Sequence, residues 1–88
     1  MKKCYIINYD LRNQKDYNAL YDAIKAYGTW AHILESCWAI VTTDNATEVR
    51  DNLMKHMDGD DGLFVVKSGT EAAWTKVNCK NQWLKDNL

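Results

Sequence analysis

The residues able to do chemistry fall at three places along the chain. The first is Asp10, which closes the run Ile7-Asn8-Tyr9-Asp10-Leu11. A carboxylate at a strand end lies on the sheet rim, where a ligand can approach. One carboxylate holds Mg²⁺ poorly, because the ion demands octahedral oxygen ligation, with one or two carboxylates plus waters or phosphate. A two-fold axis would bring a second Asp10 alongside. Without that axis, a short Asp side chain at a strand end serves the loop amides around it.

The second place is YGTWAHILESCWAIVTT, residues 27–43, which holds Trp30, His32, Glu35, Ser36, Cys37 and Trp38. His32 oriented by Glu35 would make a general base. Positions 32 and 35 of one strand point to opposite faces, however, so the pair is not preformed. Ser36 and Cys37 are two nucleophile types without the Gly-x-Ser-x-Gly elbow that would activate one. Sheet, bend and interface account for this segment better than catalysis does. The third place is the acidic turn DGDDG, residues 58–62. It lacks the DxDxDG spacing and closing Glu of a calcium loop and reads as a solvated turn.

The elements that position these residues follow from periodicity. Residues 3–9, KCYIINY, are β-rich and apolar on both faces, as in a central strand. Residues 11–15 read as a polar loop. Over residues 16–27, Tyr17, Leu20, Tyr21 and Ile24 make the apolar stripe of an amphipathic helix, and Gly28 can end it in a left-handed conformation. Residues 29–34 and 37–43 form two strands joined at Glu35-Ser36. Neither joining residue suits a primed turn, so a bulge or a longer bend is expected. Alternation puts Trp30, His32 and Leu34 on one face and Ala31 and Ile33 on the other. Asn45 and Glu48 make a capping box for a second helix with Ala46, Val49, Leu53 and Met57 on its apolar side. LFVV, 63–66, is a last strand, and KNQWLKDNL, 80–88, a terminal helix with Trp83, Leu84 and Leu88 as its inward candidates.

The resulting fold class is α+β: a ferredoxin-like βαββαβ arrangement with two helices on one face of an antiparallel sheet, plus a short C-terminal helix. It is a single domain over 1–88, with a core over 1–69 and a C-terminal extension over 70–88. No proline, linker or repeat divides it. Bulky residues mark both sheet faces, and an 88-residue chain has few elements left to cover the second one. Dimerisation through the sheet, assisted by the tail, is expected.

Composition narrows the functions. The formal charge is −1, with lysines dispersed from Lys2 to Lys85, which argues against generic nucleic-acid affinity through phosphate neutralisation. Three cysteines, Cys4, Cys37 and Cys79, show no CxxC spacing and suggest neither a disulfide framework nor a zinc site. No run approaches a membrane span, and Asn8 and Asp10 interrupt the N-terminal apolar stretch before a signal sequence forms. A cytoplasmic location is expected. Four tryptophans can stack bases, but no alternation of basic and aromatic residues accompanies them, so core and dimer packing is favoured.

Three motifs together resemble a known family: Tyr9-Asp10-Leu11, then Gly28, Trp30, His32, Leu34, Ser36 and Trp38 at alternate positions, then Trp83-Leu84-Lys85 ahead of Asn87-Leu88. The pattern is similar to the SinR-like small proteins, relatives of the ferredoxin-like subunit of the CRISPR spacer-acquisition machinery. The resemblance implies a homodimer, with Trp38, Trp74 and Trp83 at its interface, that binds nucleic acid or a nucleotide as a scaffold. It implies that Asp10 meets its symmetry mate and binds Mg²⁺, with Tyr9, Arg12 and Ser36 near the ligand. The alternatives are a Mg²⁺-dependent phosphodiesterase or nuclease with paired Asp10 as catalytic residue, and an accessory protein of a mobile element or antiviral defence system. The accessory protein would act by protein contact or by sequestering a nucleotide.

Overall fold

Strand β1, Lys3–Asp10, lies inside the sheet because both its faces are apolar. Its odd-numbered side chains Tyr5, Ile7 and Tyr9 enter one buried cluster, while Cys4 and Ile6 enter another. The computed structural model describes residues 1–13 and 16–88. Of the polar loop expected over 11–15, Gln14 and Lys15 lie outside the described residues. After β1 come α1 (Asn18–Lys25), β2 (Thr29–Leu34), β3 (Cys37–Thr42), α2 (Ala46–Met54), β4 (Gly62–Lys67) and α3 (Asn81–Asn87). The chain is thus α+β, with a four-strand antiparallel sheet in the order β2-β3-β1-β4 and three helices.

Local signals set the helix ends. Asp16 accepts a hydrogen bond from the Asn18 N–H at 2.8 Å, so the chain turns into α1 one residue after the apolar stripe begins at Tyr17. The helix ends before Gly28, whose φ of +91° lies in the region that side-chain-bearing residues avoid. The capping box of α2 forms as its spacing predicts: Glu48 N–H donates to Asn45 Oδ1 at 2.8 Å, and Asn45 N–H to Glu48 Oε1 at 3.0 Å. The β2–β3 hairpin has a register shift between His32 and Leu34, the irregularity that a Glu-Ser bend invites.

Both α1 and α2 cover the same sheet face. Leu20 and Ile24 from α1, and Val49 and Leu53 from α2, close over Tyr5, Ile7, Trp38 and Ile40. The other face is where the expectation needs correction. The tail itself covers this face: Trp74, Val77, Cys79 and Trp83 pack with the fully buried Leu84 over Cys4, Ala31, Ile33 and Ala39. Small residues on the sheet make this possible, since Ala31, Ala39 and Cys4 leave room for large indoles above them. The tail also ties to the β2 edge, where Asn78 N–H donates to the Ile33 carbonyl at 2.8 Å. One strip escapes cover. On β4, Phe64 is 60% exposed and Val66 41%.

Candidate functional site

At the sheet rim, β1 delivers Asp10 opposite Gly62 of β4. The Asp10 side chain is 75% exposed and receives a 3.4 Å contact from Arg12 Nε. Gly62 is glycine where the chains crowd: a Cβ there would sit 3.3 Å from Arg12 Nη2 and 3.5 Å from Asp10 Cβ. The acidic turn before β4 is not a free loop. Asp61 accepts from the Arg12 backbone N–H at 2.8 Å and from the Tyr17 hydroxyl at 2.9 Å; Asn13 donates to Asp58 and Asp60 at 2.9 and 2.7 Å. Arg12 Nη1 reaches the Asp60 carbonyl at 2.8 Å. These bonds latch the segment after β1 to the turn before β4. The Tyr17 hydroxyl is pushed up to about 12, first by removal from water and then by its hydrogen bond to Asp61.

This rim does not fit a divalent ion within one chain. Its carboxylates are engaged by Arg12, Asn13 and Tyr17, and no group of three or more metal-ligating side chains gathers among the described residues. A second copy could supply another carboxylate to Asp10. Arg12 stands beside Asp10.

Tyr9 points away from Asp10, to the helix-covered face, and there it belongs to a second constellation. Trp38 Nε1–H donates to the Tyr9 hydroxyl at 2.9 Å, and that hydroxyl donates to the Glu35 carbonyl at 3.3 Å. Burial raises the Tyr9 pKa, and the bond from Trp38 partly offsets this. His32 lies flat on Trp38, with ring centroids 3.9 Å apart and planes within 10°. Its Nε2 is 3.1 Å from the same Glu35 carbonyl; since a carbonyl only accepts, Nε2 carries the proton. His32 therefore meets the backbone of Glu35 and not its carboxylate, and no oriented general base is formed. Trp30 and Tyr21 complete the ring cluster, 5.5 and 6.1 Å from Trp38.

The remaining sites divide between core and surface. Trp38, expected at an interface, is 2% exposed and sits inside the protomer. Trp74 and Trp83 are half-buried in the tail layer, and Trp74 Nε1–H donates to Asn81 Oδ1 at 3.1 Å. Ser36 is exposed in the hairpin bend, and its carbonyl accepts from Tyr9 N–H at 3.2 Å. It lies beside Tyr9, the residue before Asp10 on β1. Burial raises the Cys4 and Cys37 pKa values and so disfavours their thiolates.

Sequence reasoning missed the recess that these rings create. Tyr9, Tyr21, Lys25, His32, Glu35 and Trp38 line a hollow of about 330 Å³ on the α1 side. The signal was present: Tyr21 and Lys25 are one helical turn apart, and His32 shares a strand face with Trp30. What periodicity does not supply is the angle at which α1 lays that turn beside the hairpin. No family model matches the chain, and no curated protein matches it.

Proposed function

We propose that this chain is a homodimeric, ferredoxin-like binding module that takes a nucleic acid or nucleotide, in the manner of the SinR-like relatives of the CRISPR spacer-acquisition subunit. Two features support the fold reading. The order β4-β1-β3-β2 sets β3 between β1 and β2, and α1 and α2 form the two crossovers, as in the split βαβ arrangement. The tail layer over the second face is an addition to that arrangement.

The observation that carries the dimer is the bare strip on β4. Phe64 and Val66 stay exposed on an edge strand, whereas natural edges are normally blunted by charge, proline or cover. A second copy seated there would bury both residues. Pairing of the two carboxylates requires that the copy be seated with its own Asp10 near the first, at the end of β4 where Asp10 is paired with Gly62. Sedimentation at micromolar concentration should give a dimer, and Phe64→Glu should give a folded monomer. A wild-type monomer at that concentration discards the reading.

The exposed Asp10 favours a second reading, a Mg²⁺-dependent phosphodiesterase that needs both copies of this carboxylate. Asp10→Ala should then abolish cleavage of a short oligonucleotide while leaving the dimer intact. Absence of cleavage by clean wild-type protein in Mg²⁺ or Mn²⁺ would remove it.

A further inference from the structure

We infer that the recess between α1 and the β2–β3 hairpin is a binding site for a guanine mononucleotide. It goes beyond the dimer seam, at a place that each protomer builds alone. It rests on the binding-module reading and not on dimerisation.

The shape comes first. The hollow of about 330 Å³ lies at the small end of ligand sites, suited to one planar ring system and its substituent. Three of its rings are aligned, with Tyr9 tilted 39° to Tyr21. Tyr21 and His32 both lie nearly parallel to Trp38, within 17° and 10°. A planar heteroaromatic ring entering the recess extends this stack against rings already held in place. Trp38 is fixed by its bond to Tyr9, and His32 by its bond to the Glu35 carbonyl, so little ordering is left to be done on binding.

Charge then narrows the ligand. Lys25 and Glu35 line the hollow, and among the described residues neither has an ion pair. The Lys25 ammonium lies 5.3 Å from the Trp30 ring centroid, at the start of β2. Glu35 follows the end of β2, roughly 16 Å further along the strand at about 3.3 Å per residue. One end thus offers a cation for a phosphate, and the other a carboxylate that only accepts. Among nucleobases, guanine presents two adjacent donors on its Watson–Crick edge, N1–H and the 2-amino group, which a carboxylate takes bidentately. Adenine places a lone pair at N1, which the carboxylate repels. The order of groups is therefore phosphate at Lys25, ring against Tyr21 and His32, base edge at Glu35.

The test is titration of the full chain with GMP, AMP and guanosine, read by tryptophan fluorescence and by amide chemical shifts. GMP should bind saturably, with shifts centred on residues 21–38, and about tenfold or more tighter than AMP, the effect of a hydrogen-bonded charge. Glu35→Gln should erase the GMP-over-AMP preference, and Lys25→Ala should bring GMP down to guanosine. Both residues are exposed, so neither change threatens the fold. Phe64→Glu should leave GMP binding unchanged even where it splits a dimer. No saturable binding of GMP, shifts centred elsewhere, or a GMP-over-AMP ratio untouched by Glu35→Gln each overturns the inference. A dimer that persists in such a case leaves the scaffold reading standing.

Discussion

Tyr17 shows how one residue ties a loop to the core. Its ring is buried with Leu20 and Ile24, while its hydroxyl donates to Asp61. An ionised phenol in that position would face a carboxylate out of water, so the folded state holds the proton to about 12 against an ordinary value of 10.0. The sign follows by linkage. Between these values the folded chain binds more protons than the unfolded one, so stability falls as pH rises through this window and is fully present below pH 10. Burial raises Tyr9 and Tyr27 as well, and they add to the same alkaline loss. Tyr17→Phe removes both the bond and the titration. Urea denaturation should find the variant less stable than wild type at pH 8, with the gap narrowing at pH 11. A gap that stays constant with pH would show that Tyr17 does not titrate with folding.

At the scale of elements, the question is what holds the tail. Leu84 is the only α3 residue among the fully buried side chains, and it sits over small residues of β1, β2 and β3. Removing its side chain leaves a void that Ala31 and Ala39 cannot fill, so Leu84→Ala should cost about 2–5 kcal/mol. Denaturant melts would check this, and dye binding should rise as the second sheet face opens. A loss under about 1 kcal/mol would mean that the tail layer rests on its indoles instead.

The same layer marks where the sequence was legible. Strand and helix positions followed from alternation and from the Leu20-Tyr21-Ile24 stripe, and the α2 start from Asn45 and Glu48. Those signals are local. The terminal helix with Trp83 and Leu84 inward was legible. The path of the tail before it was not, because Trp74 and Cys79 belong to no periodic run, and their place depends on the space above Ala31 and Ala39, a property of three strands together. Trp38 was misplaced for a related reason. Alternation sorted it to one face of β3 but could not say that Tyr9 and His32 would close around it. Asp10 and Arg12 were found beside each other because two residues at a strand end need no distant partner to meet.

For the whole molecule, charge decides which nucleic acid is a credible ligand. The net charge is −1, and several cations are already occupied: Arg12 by Asp10 and the Asp60 carbonyl, Arg50 by Asp51, and Lys3 over the Tyr5 ring. A duplex scaffold neutralises about 6–10 phosphates, each adding about −0.9 to the slope of log affinity against log salt. The remaining lysines are dispersed along the sequence from Lys2 to Lys85, and a pair of copies doubles the acidic charge along with the basic. Binding of a short duplex, measured by anisotropy between about 50 and 200 mM salt, should therefore be weak, with a slope shallower than about −3. GMP, which needs one cation, should depend on salt far less. A duplex slope of about −6 or steeper would mean that dispersed lysines converge across the dimer, and would return the long polyanion to first place as the ligand.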